Sequence, residues 1–230
     1  MNETNVIISS EYSRTISEEN TKKIKQTGYL IVKRFSDILI SLIACIFLIP
    51  LIFMVKVLAL LSGDTKTIFF KQKRIGKNGN PIYIYKFRSM VPNAQEMLKK
   101  LLKQEKYKEE WERNQKLSDD PRITKVGKFL RKTSLDEFPQ FINVLKGDMS
   151  IIGPRPLVEG ELDLHNGNHL LYESVKPGIT GWWACNGRSS TTYEDRLNLE
   201  YYYIRNRSIL LDLKCTLKTI IEVFIERTTK

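Results

Sequence analysis

The run Ile38–Leu61, ILISLIACIFLIPLIFMVKVLALL, is apolar but for Ser41, Pro50 and Lys56. As one straight helix it would be about 36 Å long, at about 1.5 Å per residue. That length covers a hydrocarbon core of about 30 Å, so hydropathy alone describes a single transmembrane span. Charge and proline placement describe something else. Lys22, Lys23, Lys25, Lys33 and Arg34 precede the run, and Lys66, Lys71, Lys73, Arg74 and Lys77 follow it. Basic flanks prefer the cytoplasmic side, and here both flanks are basic. Pro50 sits at the centre, lacks an N–H and clashes with the preceding turn, which kinks a helix. Each arm, at about 13 residues or fewer, is too short to cross alone, and Lys56 can snorkel to the same interface. The sequence predicts a membrane-embedded, re-entrant helix over residues 28–63, broken at Pro50, with both ends on the cytoplasmic face.

Outward from that segment, residues 1–27 are polar, without a large apolar cluster or a secretory signal pattern, and are expected to form a disordered tail. Residues 64–230 read as one cytoplasmic domain. Strand formers at Thr67–Phe70 and Ile82–Phe87 bracket Gly76-Lys77-Asn78-Gly79-Asn80, and Asn-Gly between such runs signals a β-hairpin. Its interleaved aromatic and basic residues suit a hairpin with one buried and one wet face better than a nucleic-acid stacking platform. Residues 93–117 read as a charged helix with Met97, Leu98, Leu101, Leu102 and Trp111 near one face. Residues 123–130 form a short basic amphipathic stretch suited to inner-leaflet anionic lipid. Phe138, Phe141, Ile142 and Leu145 recur at helical spacing, and Lys146-Gly147-Asp148 ends that helix. A last amphipathic helix spans 208–225. The fold class is α+β: the membrane helix, then a small domain with a β-hairpin and several amphipathic helices.

The 230 residues carry a formal charge of +11, which calls for an anionic partner: nucleic acid, acidic lipid or a phosphorylated substrate. No nucleic-acid-binding module is recognisable, so nucleic acid is not an expected partner. Cys45, Cys185 and Cys215 have neither metal-type nor redox-type spacing. His165 and His169 lack the zinc-protease pattern. Neither a phosphate-cradling Walker loop nor a dinucleotide glycine pattern occurs. Chemistry then falls to carboxylates and arginines.

Asp136 and Glu137 are adjacent carboxylates in Arg131-Lys132-Thr133-Ser134-Leu135-Asp136-Glu137-Phe138-Pro139-Gln140. Spacing alone makes Ser134–Glu137 a helix capping box, and acidic residues suit a first helical turn. The same place suits catalysis, because a carboxylate held at a helix start stays ionised and can attack phosphorus. Its neighbour can act as base or metal ligand. Attack on a pyrophosphate needs Mg²⁺ and arginine to offset like-charge repulsion. Arg155, between Pro154 and Pro156, and Arg88, in Lys86-Phe87-Arg88-Ser89-Met90, are the phosphate-binding candidates.

Several stretches in order have distinctive wording: Lys33-Arg34-Phe35-Ser36-Asp37, Tyr85–Met90, Asp120–Thr124, Thr133–Gln140, Gly147–Ser150, Gly153–Pro156 and Lys176–Trp182. Together they resemble the bacterial sugar transferases that move a sugar-1-phosphate onto a polyprenyl phosphate, across nearly the whole chain from about residue 33 to 226. The resemblance is to the small form of the family, with one re-entrant membrane helix and one catalytic domain.

That resemblance implies a catalytic domain over 64–230 at the cytoplasmic face of the bacterial cell membrane. Asp136 would attack the β-phosphate of a UDP-sugar, UMP would leave, and polyprenyl (undecaprenyl) phosphate would take the phosphosugar from Asp136. Glu137 would assist. Lys176, Thr180 and Trp182 lie in the loop expected near nucleotide or sugar, Arg188 is a further phosphate ligand, and Asp136 and Glu200 are expected at Mg²⁺. The chain departs from the family in two places. Gly181-Trp182-Trp183-Ala184-Cys185-Asn186-Gly187-Arg188 lacks a Gln often found there, and Glu200 stands before Tyr201-Tyr202-Tyr203 where an Asp is usual. Trp182 and Trp183 suit either stacking on uracil or anchoring at the interface. The sugar stays open, with galactose or glucose ahead of N-acetylated hexoses; a homo-oligomer is also allowed. The competing reading is a non-enzymatic basic adaptor that binds acidic lipid, in which Asp136 and Glu137 only cap a helix.

Overall fold

The computed structural model describes the backbone over residues 3–114, 117–187 and 191–222, with side chains over 26–112, 117–187 and 191–222. Helix α1 (Glu3–Leu61) passes through Pro50 as one helical element. Its backbone is helical from Glu3, where polar composition leads one to expect a tail; once a helix is nucleated, adding turns costs little.

One stripe of α1 is buried: Tyr29, Asp37, Ser41, Ala44, Leu48, Val55 and Ala59. The spacing is that of one helix face. The opposite face leaves Phe35, Ile46, Phe47, Ile49 and Phe53 more than 60% exposed, as a lipid-facing surface would be. Side chains on both sides of Pro50 reach the same domain. Arg34 donates to the carbonyls of Val144 and Leu145 at 2.6 and 2.9 Å. Asp37 accepts from Ser150 Oγ and Ile151 N at 3.1 and 3.0 Å. Past the proline, Val55 and Ala59 share a buried cluster with Leu48, Ile68, Phe87 and Leu130.

Strands β1 (Phe69–Ile75) and β2 (Pro81–Phe87) form the expected hairpin, in register from Phe69↔Phe87 to Ile75↔Pro81. At its turn Asn78 and Gly79 both take positive φ, 59° and 74°, which explains the Asn-Gly pair. Ile82 and Ile84 point inward onto Val144 and Met149, while Tyr83 faces out.

The charged stretch after the hairpin is two helices, α2 (Ala94–Leu101) and α3 (Glu105–Asn114), rather than one. The turn between them brings Trp111 to 5.3 Å from the Arg122 guanidinium, which is fixed by two hydrogen bonds to Asp120. Helix α4 (Lys125–Thr133) is capped by Thr124, which accepts from Gly127 N at 2.9 Å. Helix α5 (Gln140–Lys146) ends at Gly147, φ 89°.

Strand β3 (Ser150–Ile152) pairs in parallel with β4 (Gly178–Thr180), with short helix α6 (His169–Tyr172) between them. Helix α7 (Tyr193–Asn206) starts with a capping box of Thr192 and Asp195. Helix α8 (Ile209–Ile221) starts at Ser208; the predicted end at 225 lies outside the described residues. Leu211 and Cys215 of α8 face a core with Tyr203, Leu197 and Leu157. Its other face, with Leu210, Leu213 and Leu217 each more than half exposed, continues the apolar surface of the protein. The α+β class holds, with the parallel β3–β4 pair added.

Candidate active site

Three backbone pieces build the site: the turn between α4 and α5, the middle of the hairpin, and the β3–β4 pair. Helix α4 stops because Ser134 enters the left-handed region at φ 57°, its N–H bonding back to Arg131 O. Leu135–Glu137 then form one 3₁₀ turn, and α5 begins only at Gln140. Ser134 makes no side-chain cap here. The capping box expected from spacing therefore does not form, because an N-cap needs extended backbone and Ser134 serves instead as the left-handed end of α4.

Asn143, fully buried on α5, locks this turn to the hairpin. Its Oδ1 accepts from Tyr85 N at 3.0 Å and its Nδ2 donates to Tyr83 O at 2.7 Å. That register puts Lys86 beside Glu137, with Nζ donating to Oε1 at 2.6 Å. Burial, then the Glu137 charge, raise the Asp136 carboxyl above its ordinary range, and Lys86 and Arg131 pull the other way.

The facing wall is Gly153–Pro156 and Gly178–Gly181. A Cβ on Gly178 would lie 2.2 Å from Gly153 N, and one on Gly181 2.1 Å from Gly153 O. Only glycine permits this approach. Between the walls runs a cleft lined by Arg74, Lys86, Glu137, Gln140, Arg155, Thr180, Trp183 and Glu200, among others.

Charge in the cleft is mixed and partly unpaired. Glu200 is 1% exposed; its Oε1 accepts from Arg155 N at 3.1 Å, and its buried Oε2 has no partner. Burial pushes its carboxyl up to about 7, against the Arg155 N–H and the charges of Arg196 and Arg155. Arg196 stacks over Trp183 at 4.7 Å and over Tyr193 at 4.8 Å, and donates to Glu161 at 3.1 Å. Its Nε and Nη2, and the Nε of Arg74, are buried without a partner. An unmet buried donor costs about 1–3 kcal/mol; of these two arginines, Arg74 lines the cleft and Arg196 lies behind Trp183.

The expected residues divide. Glu137, Arg155, Thr180 and Glu200 line one cleft, and Asp136 sits beside it on the same turn as Glu137. Arg88 does not line it. Its guanidinium bonds both oxygens of Asp64 at 2.9 Å and the carbonyls of Thr67 and Met90, holding the end of α1 to the hairpin. Lys176 lines a separate cavity. Trp182 packs on Tyr202 with ring centroids 5.7 Å apart, and its neighbour Trp183 takes the cleft position. Arg188 lies outside the described residues. Arg74 and Arg196 carried no site signal in the sequence, since isolated arginines in a basic chain look alike; Gln140 closed a quoted motif, which gave it no role. Lys86 stood in a quoted motif, but its contact with Glu137 depends on the hairpin register.

Among the described residues no cluster of three or more His, Cys, Asp or Glu side chains forms a metal cage. Mg²⁺ needs no such cage, since it binds through one or two carboxylates with substrate phosphates and water. The adjacent Asp136 and Glu137 fit that mode. Glu200, with arginines beside it and a raised pKa, fits it poorly.

A carboxylate turn thus lies opposite an arginine-bearing, glycine-tight loop, on a domain packed against a long apolar helix of the kind that associates with membranes. The chain belongs to the bacterial sugar transferase family, which it matches over residues 28–226. It is 43% identical over 198 residues to the exopolysaccharide production protein ExoY of Sinorhizobium fredii, covering 86% of this chain and 87% of that one. It is 42% identical over 189 residues to the undecaprenyl-phosphate galactose phosphotransferase of Salmonella typhimurium, covering 82% of this chain and 39% of that one. It is 37% identical over 213 residues to the UDP-glucose:undecaprenyl-phosphate glucose-1-phosphate transferase of Escherichia coli, covering 86% and 41%. The chain thus spans most of the short relative and about two fifths of the long ones.

Proposed function

We propose that this protein is a phosphoglycosyl transferase that moves a sugar-1-phosphate from a UDP-sugar to undecaprenyl phosphate, starting an exopolysaccharide or capsule chain. The observation that carries the reading is the single cleft that joins the Asp136–Glu137 turn to the Arg155 loop in a chain of this family.

In this reading an Asp136 oxygen attacks the β-phosphorus, the phosphoanhydride bond breaks, and UMP leaves with the electron pair. Undecaprenyl phosphate then attacks the same phosphorus and frees Asp136. Glu137, held by Lys86, orients the turn. Arg155, backed by Glu200, offers its guanidinium to phosphate oxygens, and Trp183 offers a face to the base. Mg²⁺, held by Asp136 or Glu137, would supply charge neutralisation at the pyrophosphate. The adaptor alternative, a basic surface on acidic lipid, leaves the Asp136–Glu137 turn without a role, since Ser134 makes no side-chain cap, and family membership favours the transferase.

The buried stripe of α1 supports a re-entrant or in-plane helix. A straight crossing would carry one end away from a domain that this helix touches on both sides of Pro50. The basic flanks support placement at the cytoplasmic face, with anionic lipid as neighbour.

The test is UMP release from a panel of UDP-sugars by detergent-solubilised protein with undecaprenyl phosphate and Mg²⁺. Lipid-dependent release from one donor, lost in Asp136→Asn, supports the reading and names the sugar. No release from any donor by folded protein ends it.

A further inference from the structure

A second cavity, of about 210 Å³, opens where α1 meets the domain through Tyr29, Leu30, Lys33, Arg34 and Asp37. It shares no lining residue with the cleft. Its lining includes the apolar surfaces of Tyr29, Leu30 and Val175 and the cations Lys77, Lys176 and Arg207. These cations come from distant parts of the chain: the hairpin turn, the residue two before β4, and the junction of α7 with α8.

Among the described residues, the side chains of Lys77, Lys176 and Arg207 make no hydrogen bond or ion pair. The cavity's other two cations are engaged, Lys33 with Asp212 at 2.9 Å and Arg34 with the α5 carbonyls. Asp37, the one carboxylate lining the cavity, already accepts from Ser150 and Ile151. Burial, then Arg34, hold the Lys176 ammonium below its ordinary pKa, with Asp37 opposing and Lys77 adding to the fall. Three uncommitted cations thus share the cavity with a carboxylate, Asp37, that is already engaged.

The position says what kind of anion fits. Ile31 and Phe35, two-thirds exposed, each directly follow a residue of the cavity lining on α1, Leu30 and Arg34. A ligand whose charged group meets the three cations would have its apolar part against Tyr29 and Leu30, running onto the exposed face of α1. We propose that this cavity binds the phosphate headgroup of an anionic glycerophospholipid, at a site separate from the two substrates. The inference rests on the reading that α1 is embedded in the membrane.

The test uses the full chain in mild detergent, exchanged with equal phosphatidylcholine and phosphatidylglycerol and weighed intact by native mass spectrometry. The parent is expected to retain one phosphatidylglycerol in preference to phosphatidylcholine. In Lys77→Gln/Arg207→Gln that retention should fall about thirtyfold, while UMP release in lipid-free detergent stays at the parent level. If the double variant loses its fold, Lys77→Gln alone, on the exposed turn, is read the same way. Equal retention of the two lipids, or equal retention by parent and variant, overturns the site. So does displacement of the lipid by millimolar inorganic phosphate, which would make free phosphate the ligand. A parent recovered in the soluble fraction overturns the membrane reading and this site together; a membrane-bound parent without selective retention overturns the site alone.

Discussion

The backbone N–H of Arg155 donates to Glu200 Oε1 at 3.1 Å, while the other oxygen of that fully buried carboxylate has no partner. A loop held between two prolines is thus tied from behind to helix α7, and its guanidinium stays exposed to the cleft. The tie is sensitive to pH.

Glu200 is raised from 4.5 to about 7 by burial. The folded protein therefore holds a proton that the unfolded chain releases above about 4.5. Stability from this group is complete below that pH and is lost as pH rises to about 7, by about 3 kcal/mol in all. Glu200→Gln is expected to flatten this part of the profile and to be the more stable protein at pH 8. Thermal midpoints of both proteins between pH 4.5 and 8 check it; parallel profiles would contradict the assignment.

Asp136→Asn should lower UMP release by roughly 10⁴-fold or more and leave the thermal midpoint near that of the parent. In the parent, release should rise with pH through a midpoint above the ordinary carboxylate range. Lys86→Gln removes a charge that favours ionised Asp136 and should move that midpoint up; Glu137→Gln should move it down. Pre-steady-state UMP bursts across pH measure both shifts.

Arg155 and Arg88 are expected to fail in different ways. Arg155→Ala should cost about a hundredfold in kcat/KM with little change in stability. Arg88→Ala breaks the link to Asp64, Thr67 and Met90 and should cost about 2–3 kcal/mol of stability. Thermal unfolding and donor kinetics on the same two variants separate these effects.

Gly178→Ala drives a methyl group to within 2.2 Å of Gly153 N and 2.4 Å of Thr180 O. Backbone cannot step aside as a side chain would, so a loss of about 3 kcal/mol is expected. Limited proteolysis at matched temperature should show early cutting near the displaced β3–β4 wall.

The hairpin was legible because Asn78-Gly79 demands two left-handed residues, and few other arrangements of those flanks satisfy them. The apolar run was legible as one long apolar helix for the same kind of local reason. What could not be read was whatever depends on contact across the chain. Ser134 to Glu137 has the letters of a cap, but backbone conformation at Ser134 decides otherwise. Arg88 has the letters of a phosphate ligand, but Asp64 claims it. Trp182 and Trp183 are adjacent and identical, and only the packing of Tyr202 decides which one faces the cleft. The Asp-Glu turn and the Arg155 loop were found from motif wording; that they share a cleft depends on long-range packing, and the parallel strand pair behind the Arg155 loop, three residues each, is too short to leave a periodic signature.

The stripe from Tyr29 to Ala59 makes α1 a wall of the domain as much as an attachment to the bilayer. Without it, Phe87 and Leu130 lose the apolar neighbours that bury them, and Ser150 and Ile151 lose the acceptor that fixes β3. A water-soluble enzyme cannot be made from this protein by cutting at Ser62, because the cut removes part of the interior. Solubilising it means repainting the lipid-facing side of α1 and leaving the inward side as it is.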